Sequence, residues 1–515
     1  MTAAAPEPLV EDVDMIGCQV ASPVSTATMR ELSNEALLAR MREYPDSRTH
    51  GPSWGTGGSL EVAQAFGEFA KTEPLRCMQI MSEFGPGDQE LAAGQAIEAL
   101  ARIESVDANE VLGLAHQLRL KGFESEAFVF WYCHGLHLVS ERRGGLDDQS
   151  IDDLEDLLHD APPSIEEGDE ASPFGDKKAE KDRRGSVLFG GGGRLLPHGN
   201  YGALSALTDG LLRRTPPEND RWLTILEKHL ERHEDVRVWI ALCRELRYLV
   251  GADRERAILF VRRLIKQYPA VLESDEGVYF LATSHHWLPS ELFTRCVETV
   301  GSSGWSMGQQ AAGELMHIRS GLEPNDKSTK AKLDKVLDDP AVAPRATVLG
   351  LAYSAAHTWT DPRFRNPSQR VLLSLIPYAD DAMAEAILIA FSPREGGLPC
   401  DQATLELVSA VADLPSLLST QDCGLLIQGM KELVGVGFGT VEVARLTKRI
   451  VDLAGNDVAD MSKGMAAYAG DLVDIAITLQ RFRETRDEAT WIFERLLSVS
   501  AYHATEAAIR WDRRI

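Results

Sequence analysis

Cysteine is sparse in this 515-residue chain and never grouped. The seven residues Cys18, Cys77, Cys133, Cys243, Cys296, Cys400 and Cys423 include no C-x-x-C pair. That excludes the common zinc-ribbon and dithiol motifs, and the odd, scattered set fits a reducing compartment. The dipeptide Gly-Lys never occurs, so there is no standard phosphate loop, whose lysine directly follows a glycine. No run of about twenty apolar residues is present, the length that a membrane-spanning helix requires. The opening Met1 to Glu11 is rich in alanine and proline and lacks the basic and apolar regions of a signal peptide. A cytoplasmic location is expected. Positive charge is also short, with 53 Lys and Arg against 78 Asp and Glu and a net charge of -25. Such a balance argues against nucleic acid as a partner. The local basic group Arg244, Arg247, Arg254, Arg256, Arg262 and Arg263 is interleaved with acids and reads as solvated helix faces.

What is there is helical periodicity. The chain is 44% hydrophobic and 25% charged, a globular composition on a length that exceeds one ordinary core. Residues 1–28 lack periodicity and read as a flexible tail. From 29 to 143 the spacing predicts helix, short turn, helix: Arg30 to Tyr44, then a helix carrying Val62, Phe66 and Phe69 inward, then Leu75 to Met81, Gln89 to Ile103, Asn109 to Leu118 and Ser125 to Val139. Residues 144–194 change character, with Pro162-Pro163, a mixed charge run and the four glycines Gly190 to Gly193. They read as an acidic, Gly-rich linker or mobile loop whose start, Ile151 to His159, extends a helix. Gly185 to Gly190 is the one short run with strand character. Residues 195–515 read as a second, longer helical block.

In that second block, helices follow turns rich in Asp: Asp235 before Val236 to Val250, Asp339 before Arg345 to His357, and Asp381 before Ala382 to Phe391. Asp339 and Asp381 are 42 positions apart by subtraction, within the repeat length of HEAT and armadillo units. Each pair has an apolar stripe that only a neighbouring pair can cover. The expected fold class is therefore all-α, a HEAT/armadillo-like α-solenoid of antiparallel helix pairs in two blocks joined by the linker, with a concave face. Asp at the turn is expected to cap the next helix, and an arginine such as Arg237 to reach the acidic turn of an adjacent repeat. Leu246 and Leu259 are taken as core positions.

Several motifs carry chemistry on paper. Gly304-Trp305-Ser306-Met307-Gly308 fits the G-x-S-x-G nucleophile elbow, which makes Ser306 the catalytic residue of an alternative esterase reading, with His317, His357 or His503 as nominal bases. A helix rather than a strand precedes it, against the elbow's requirement. Gly435 to Gly439 lacks the full dinucleotide spacing and reads as a helix-to-helix loop. Cys133, His134 and His137, and the pair His229 and His233, have no convincing completing ligand, so neither metal nor cofactor is expected. The polar and aromatic turn His285-His286-Trp287 is the candidate partner-binding segment.

Three stretches resemble a known family. They are Trp54 with Leu60 to Arg76, Tyr201-Gly202-Ala203-Leu204-Ser205-Ala206-Leu207 through Asp253-Arg254-Glu255-Arg256-Ala257 to Leu272, and the ending Asp471 to Arg514 with Leu472, Trp491 and Phe493. Together they resemble the C-terminal helical-repeat region of large bacterial STAND-type, NACHT-like NTPases. The resemblance implies a sensor or scaffold that follows an ATPase core, in some cases in antiphage defence. It carries no functional residues, because it concerns packing positions. This chain has no Walker A motif or recognisable effector domain, which implies a piece of a longer protein or a subunit whose ATPase or effector is encoded separately. The expected function is that of a non-catalytic scaffold or sensor for a protein partner. A purely structural arm of a larger complex is the other alternative.

Overall fold

A computed structural model describes residues 21–49, 57–160, 185–189, 200–232, 234–303, 305, 307–392, 397–418, 423–460 and 462–512. The fold is all-α, with helices stacked on helices in two compact units. One unit is built from 1–167, 196–238 and 251–253, the other from 168–195, 239–250 and 254–515.

In the first unit the helices are α1 (Thr26–Glu31), α2 (Asn34–Met41), α3 (Ser59–Thr72), α4 (Pro74–Met81), α5 (Glu90–Ala101), α6 (Ala108–Leu120), α7 (Glu126–Arg143), α8 (Asp148–Asp160), α9 (Tyr201–Leu212) and α10 (Asn219–Leu230). They follow the period expected of a buried stripe, and Val62, Phe66 and Phe69 of α3 are all buried. Alternate helices pack, α1 on α3, α3 on α5, α5 on α7 and α7 on α9, with the intervening helices filling a second row. The single helix expected from Arg30 is two, because Leu32 is extended and Ser33 accepts the Ala36 amide as the N-cap of a new helix.

Part of the expected linker is ordered structure of this unit. Helix α8 buries Ile151, Leu154 and Leu158, and its acids are ion-paired: Arg214 lies 2.8 Å from Asp148, and Arg221 lies 2.7 Å from Asp152 and 3.1 Å from Glu155. Helices α9 and α10, expected to open the second block, belong here because α9 packs on both α7 and α8.

Helix α11 (Val236–Leu242) is followed by a 3-10 turn, Glu245–Gly251, where one continuous helix was expected. The second unit continues with α12 (Arg254–Gln267), α13 (Asp275–Thr283), α14 (Ser290–Ser302), α15 (Gly308–Leu322), α16 (Lys327–Asp338), α17 (Arg345–Thr358), α18 (Arg365–Leu375), α19 (Asp381–Leu388), α20 (Gln402–Val411), α21 (Cys423–Gly435), α22 (Thr440–Ala454), α23 (Ala469–Leu479), α24 (Arg486–Ser498) and α25 (Ala504–Asp512). From α13 onward every helix packs on the second one after it, which divides the unit into an odd-numbered and an even-numbered row. This is the solenoid-like stacking in which each pair covers the stripe its neighbour exposes.

The period differs from the 42 residues read off Asp339 and Asp381. Even-row helices α14, α16, α18, α20 and α22 begin at 290, 327, 365, 402 and 440, so successive starts are 37 or 38 apart by subtraction. The two aspartates are not equivalent: Asp339 closes α16, whereas Asp381 is the first residue of α19. A recurring contact marks the true register. The first residue of a helix holds the N-cap aspartate of the next helix in its row: Ser290 holds Asp326 at 2.7 Å, Arg345 holds Asp380 at 2.8 Å and Arg365 holds Asp401 at 3.0 Å. Each aspartate also accepts amides of the helix it caps. The Arg237 guanidinium bonds Asp235, in its own turn, at 2.9 Å.

Leu246 is fully buried, but Leu259 is 57% exposed. On α12 the buried stripe is Ala257, Phe260, Val261 and Leu264, at i, i+3, i+4 and i+7, which leaves Leu259 on the outer side.

Candidate interaction surface

Helix α15 carries an unusual stripe. Gln310, Glu314 and His317 recur at i, i+4 and i+7, and all three are buried. Two glycines let α15 and α17 approach closely enough to enclose this stripe. A Cβ on Gly313 would stand 2.1 Å from the Thr347 carbonyl oxygen, and one on Gly350 would stand 2.0 Å from that of Gln310.

Glu314 is fully buried, and a buried carboxylate requires donors. They come largely from the short turn at 185–189, far earlier in the chain. One carboxylate oxygen accepts the Ser186 hydroxyl at 2.7 Å and the Leu188 amide at 2.9 Å, and the other accepts the Val187 amide at 2.9 Å. Gln310 donates to the same carboxylate at 3.1 Å and to the Gly185 carbonyl at 2.7 Å, bridging helix and strap. The strap is closed on itself by the Phe189 amide, which donates to the Ser186 hydroxyl at 2.9 Å. Val187 is buried, and the Phe189 ring stacks on His357 of α17 with centroids 4.9 Å apart. Burial pushes the Glu314 carboxyl above the ordinary range, opposed by the amide and hydroxyl donors. The run with strand character is a turn over residues 185–189, Gly190 lying outside the described residues: its amides meet a side-chain carboxylate instead of a neighbouring strand.

Below this surface His317 is sealed in the core. Its Nδ1 is 2.9 Å from the Ser354 hydroxyl and its Nε2 is 3.3 Å from that of Ser368, which pairs in turn with Thr358 at 3.1 Å. Burial lowers its pKa to about 3, so the ring is neutral. With a hydroxyl on each nitrogen and no solvent path, it is a structural residue. His357 packs against the strap, and His503 pairs with Glu506 at 3.2 Å beside a cleft of about 960 Å³ between α23 and α25.

Ser306 lies outside the described residues. Its neighbours Trp305 and Met307 are buried, helix α14 precedes them and helix α15 follows. Among the described residues no strand is present to form an elbow.

The turn His285-His286-Trp287 splits between core and surface. Trp287 is buried against Phe280, His286 is exposed, and His285 Nδ1 lies 3.0 Å from the Ala282 carbonyl. Burial, with His286 and Arg319 nearby, holds the His285 pKa below its ordinary value. Arg319 pins the turn from beneath, donating to the His285 carbonyl and pairing with Asp326 at 2.8 Å. The backbone and Trp287 thus serve packing, and His286 is the side chain left facing solvent.

The remaining histidines are placed separately. His134 lies 3.7 Å from Glu98, His137 lies 2.5 Å from Asp209, and Cys133 is buried with its thiol pushed up to about 12. His229 lies 3.1 Å from Glu234, whereas His233 is outside the described residues. Among the described residues no three His, Cys, Asp or Glu groups are arranged to hold a metal, and no helix is long and apolar enough to cross a membrane. In the first unit a cleft of about 430 Å³ is lined by Glu68, Lys71, Gln95, Glu98 and Trp131. Its charges are already satisfied, Lys71 by Glu68 and Arg102 by Glu98, each at 2.5 Å.

Sequence reasoning passed over Glu314 and Ser186. Two local signals were present: a glutamate inside the small and apolar run Ala311-Ala312-Gly313-Glu314-Leu315-Met316, and Ser186-Val187-Leu188-Phe189 inside a polar segment. No family model matches the chain, and no curated protein matches it.

Proposed function

We propose that the chain is a non-catalytic helical-repeat scaffold or sensor that binds a protein partner. The observation that carries this reading is the seating of a short turn on α15 and α17 through a buried carboxylate and backbone amides. Backbone amides can supply affinity whatever the side chains, and flanking apolar seats selectivity, the division of labour seen where a peptide is held by its main chain. Stacked rows also offer a long continuous surface that a single compact core does not. The likeness to the repeat region of STAND-type NTPases supports a sensing role in a bacterial defence or signalling system, with the ATPase or effector as partner. The helical flanks of Ser306 weigh against an esterase.

The test is affinity capture with the full chain from native lysate, followed by reconstitution with the purified candidate. A recurring protein that forms a complex of defined stoichiometry is expected. A chain that returns no reproducible partner under several salt conditions would contradict the reading.

A further inference from the structure

The Glu314 site is furnished as a receptor rather than as a packing contact. Three of the four groups bonded to its carboxylate come from one pentapeptide, Gly185–Phe189, and the fourth, Gln310, also grips that pentapeptide by a carbonyl. The seat has distinct parts: a carboxylate for a serine hydroxyl and two consecutive amides, a closed position for the next apolar side chain, and the ring of His357 on which an aromatic stacks. Phe189 remains 46% exposed, and four glycines follow immediately in the sequence. Ordering a pentapeptide costs backbone entropy that a few hydrogen bonds and one buried valine offset only narrowly. Release would also let water replace the strap's donors.

We propose, resting on the partner-binding reading above, that the α15–α17 surface around Glu314 is a peptide-recognition site and that Gly185–Phe189 is its built-in occupant. The partner segment that displaces it has the strap's own chemistry: a serine followed by three apolar residues, the last aromatic, in a turn that presents two successive amides. While the strap is seated the site is closed to such a segment. An intramolecular ligand competes at high effective concentration, so only a segment with better apolar contacts, or a strap that has been dislodged, opens the site.

The experiment uses the full chain and a fluorescein-labelled peptide spanning residues 183–191. Three proteins are compared by fluorescence anisotropy: the unaltered chain, a strap variant with Ser186→Glu and Val187→Asp, and that variant with Glu314→Gln added. The double change places a second carboxylate opposite Glu314 and a charge in the closed apolar seat, and both expel the strap. At least tenfold tighter binding by the strap variant than by the unaltered chain is expected, with most of the gain lost when Glu314→Gln is added. Equal binding by all three proteins would overturn the site. A second measurement needs no variant. Excess unlabelled peptide added to the unaltered chain should speed amide exchange at Val187 and Leu188, and unchanged exchange at saturating peptide would overturn the displacement. A shift to a dimer by light scattering, when the unaltered chain is concentrated, would assign the seat to exchange between copies and overturn the partner segment. Failure of these measurements leaves capture of a partner by other surfaces standing, whereas failure of capture alone leaves the seat intact.

Discussion

Glu90, the first residue of α5, accepts the backbone amide of Ser125, the N-cap of α7, at 2.6 Å. The same carboxylate accepts the Glu124 amide at 3.0 Å and the Gly87 amide at 2.8 Å. Asp46 does the corresponding work one step earlier, accepting the Glu90 amide at 2.7 Å. A carboxylate at the start of α5 thus ties that helix to the start of α7, as the N-cap carboxylates of Asp326, Asp380 and Asp401 tie successive helices of a row in the second unit.

Glu90→Ala should therefore cost about 2–3 kcal/mol, the scale of charge-assisted hydrogen bonds lost from a buried site. Burial alone would raise the Glu90 pKa, but the donors at Ser125, Gly87 and Glu124 overcome it and the pKa is lowered. A carboxyl depressed in the folded state contributes stability that is present above its unfolded value of 4.5 and lost as pH falls through the folded one. Urea denaturation between pH 7 and 3 checks both points. A Glu90→Ala protein as stable as the parent at pH 7 would show that the amides find other partners.

The close crossing of α15 and α17 makes an opposite pair of glycine predictions. Gly350→Ala drives a methyl against the Gln310 carbonyl and should destabilise by about 1–3 kcal/mol, the usual cost of overpacking. Gly113 lies in α6 with nothing within 4 Å of an added Cβ, so Gly113→Ala should stabilise by about 0.5–1 kcal/mol. Thermal melts of the two variants should move in opposite directions.

His317 makes the second unit acid-sensitive. Its folded pKa is about 3 against an ordinary 6.5, so the unfolded chain binds the extra proton. The stability it contributes is complete above pH 6.5 and is lost as pH falls toward 3, by up to about 1.4 kcal/mol per pH unit. His317→Gln keeps partners for Ser354 and Ser368 and removes the titration. A shallower acid limb in its denaturation profile is expected, and identical limbs would contradict a neutral buried imidazole.

Leu246→Ala should cost about 2–5 kcal/mol, the range for emptying a buried leucine site. Leu259→Ala should stay within about 0.5 kcal/mol, as exposed substitutions do. Denaturant midpoints of the pair report on the burial of the 3-10 turn that carries Leu246 and on the outward face of α12 that carries Leu259.

That last pair also shows where the sequence becomes ambiguous. Val62, Phe66 and Phe69 sit among polar neighbours, so their spacing picks one face of α3. The run Ala257 to Val261 is apolar at five consecutive positions, and any face fits until Leu264 and the neighbouring helices choose. Helix-on-helix architecture was legible because amphipathic periods and turn residues are local. The 37- to 38-residue register was not, because acids occupy both helix ends and only contacts tell Asp380, a cap, from Asp339, a terminus. The candidate surface was least legible. Ser186 and Glu314 are 128 positions apart, and nothing in either neighbourhood encodes the other.

The most direct measurement is residue-resolved amide hydrogen exchange on the full chain with and without Glu314→Gln. Glutamine keeps the shape but gives up the charge and one acceptor. Faster exchange at Val187 and Leu188, with the amides of α15 and α17 as protected as before, is the result expected of a strap held by Glu314. Unchanged exchange at 187 and 188 would contradict that the carboxylate holds it.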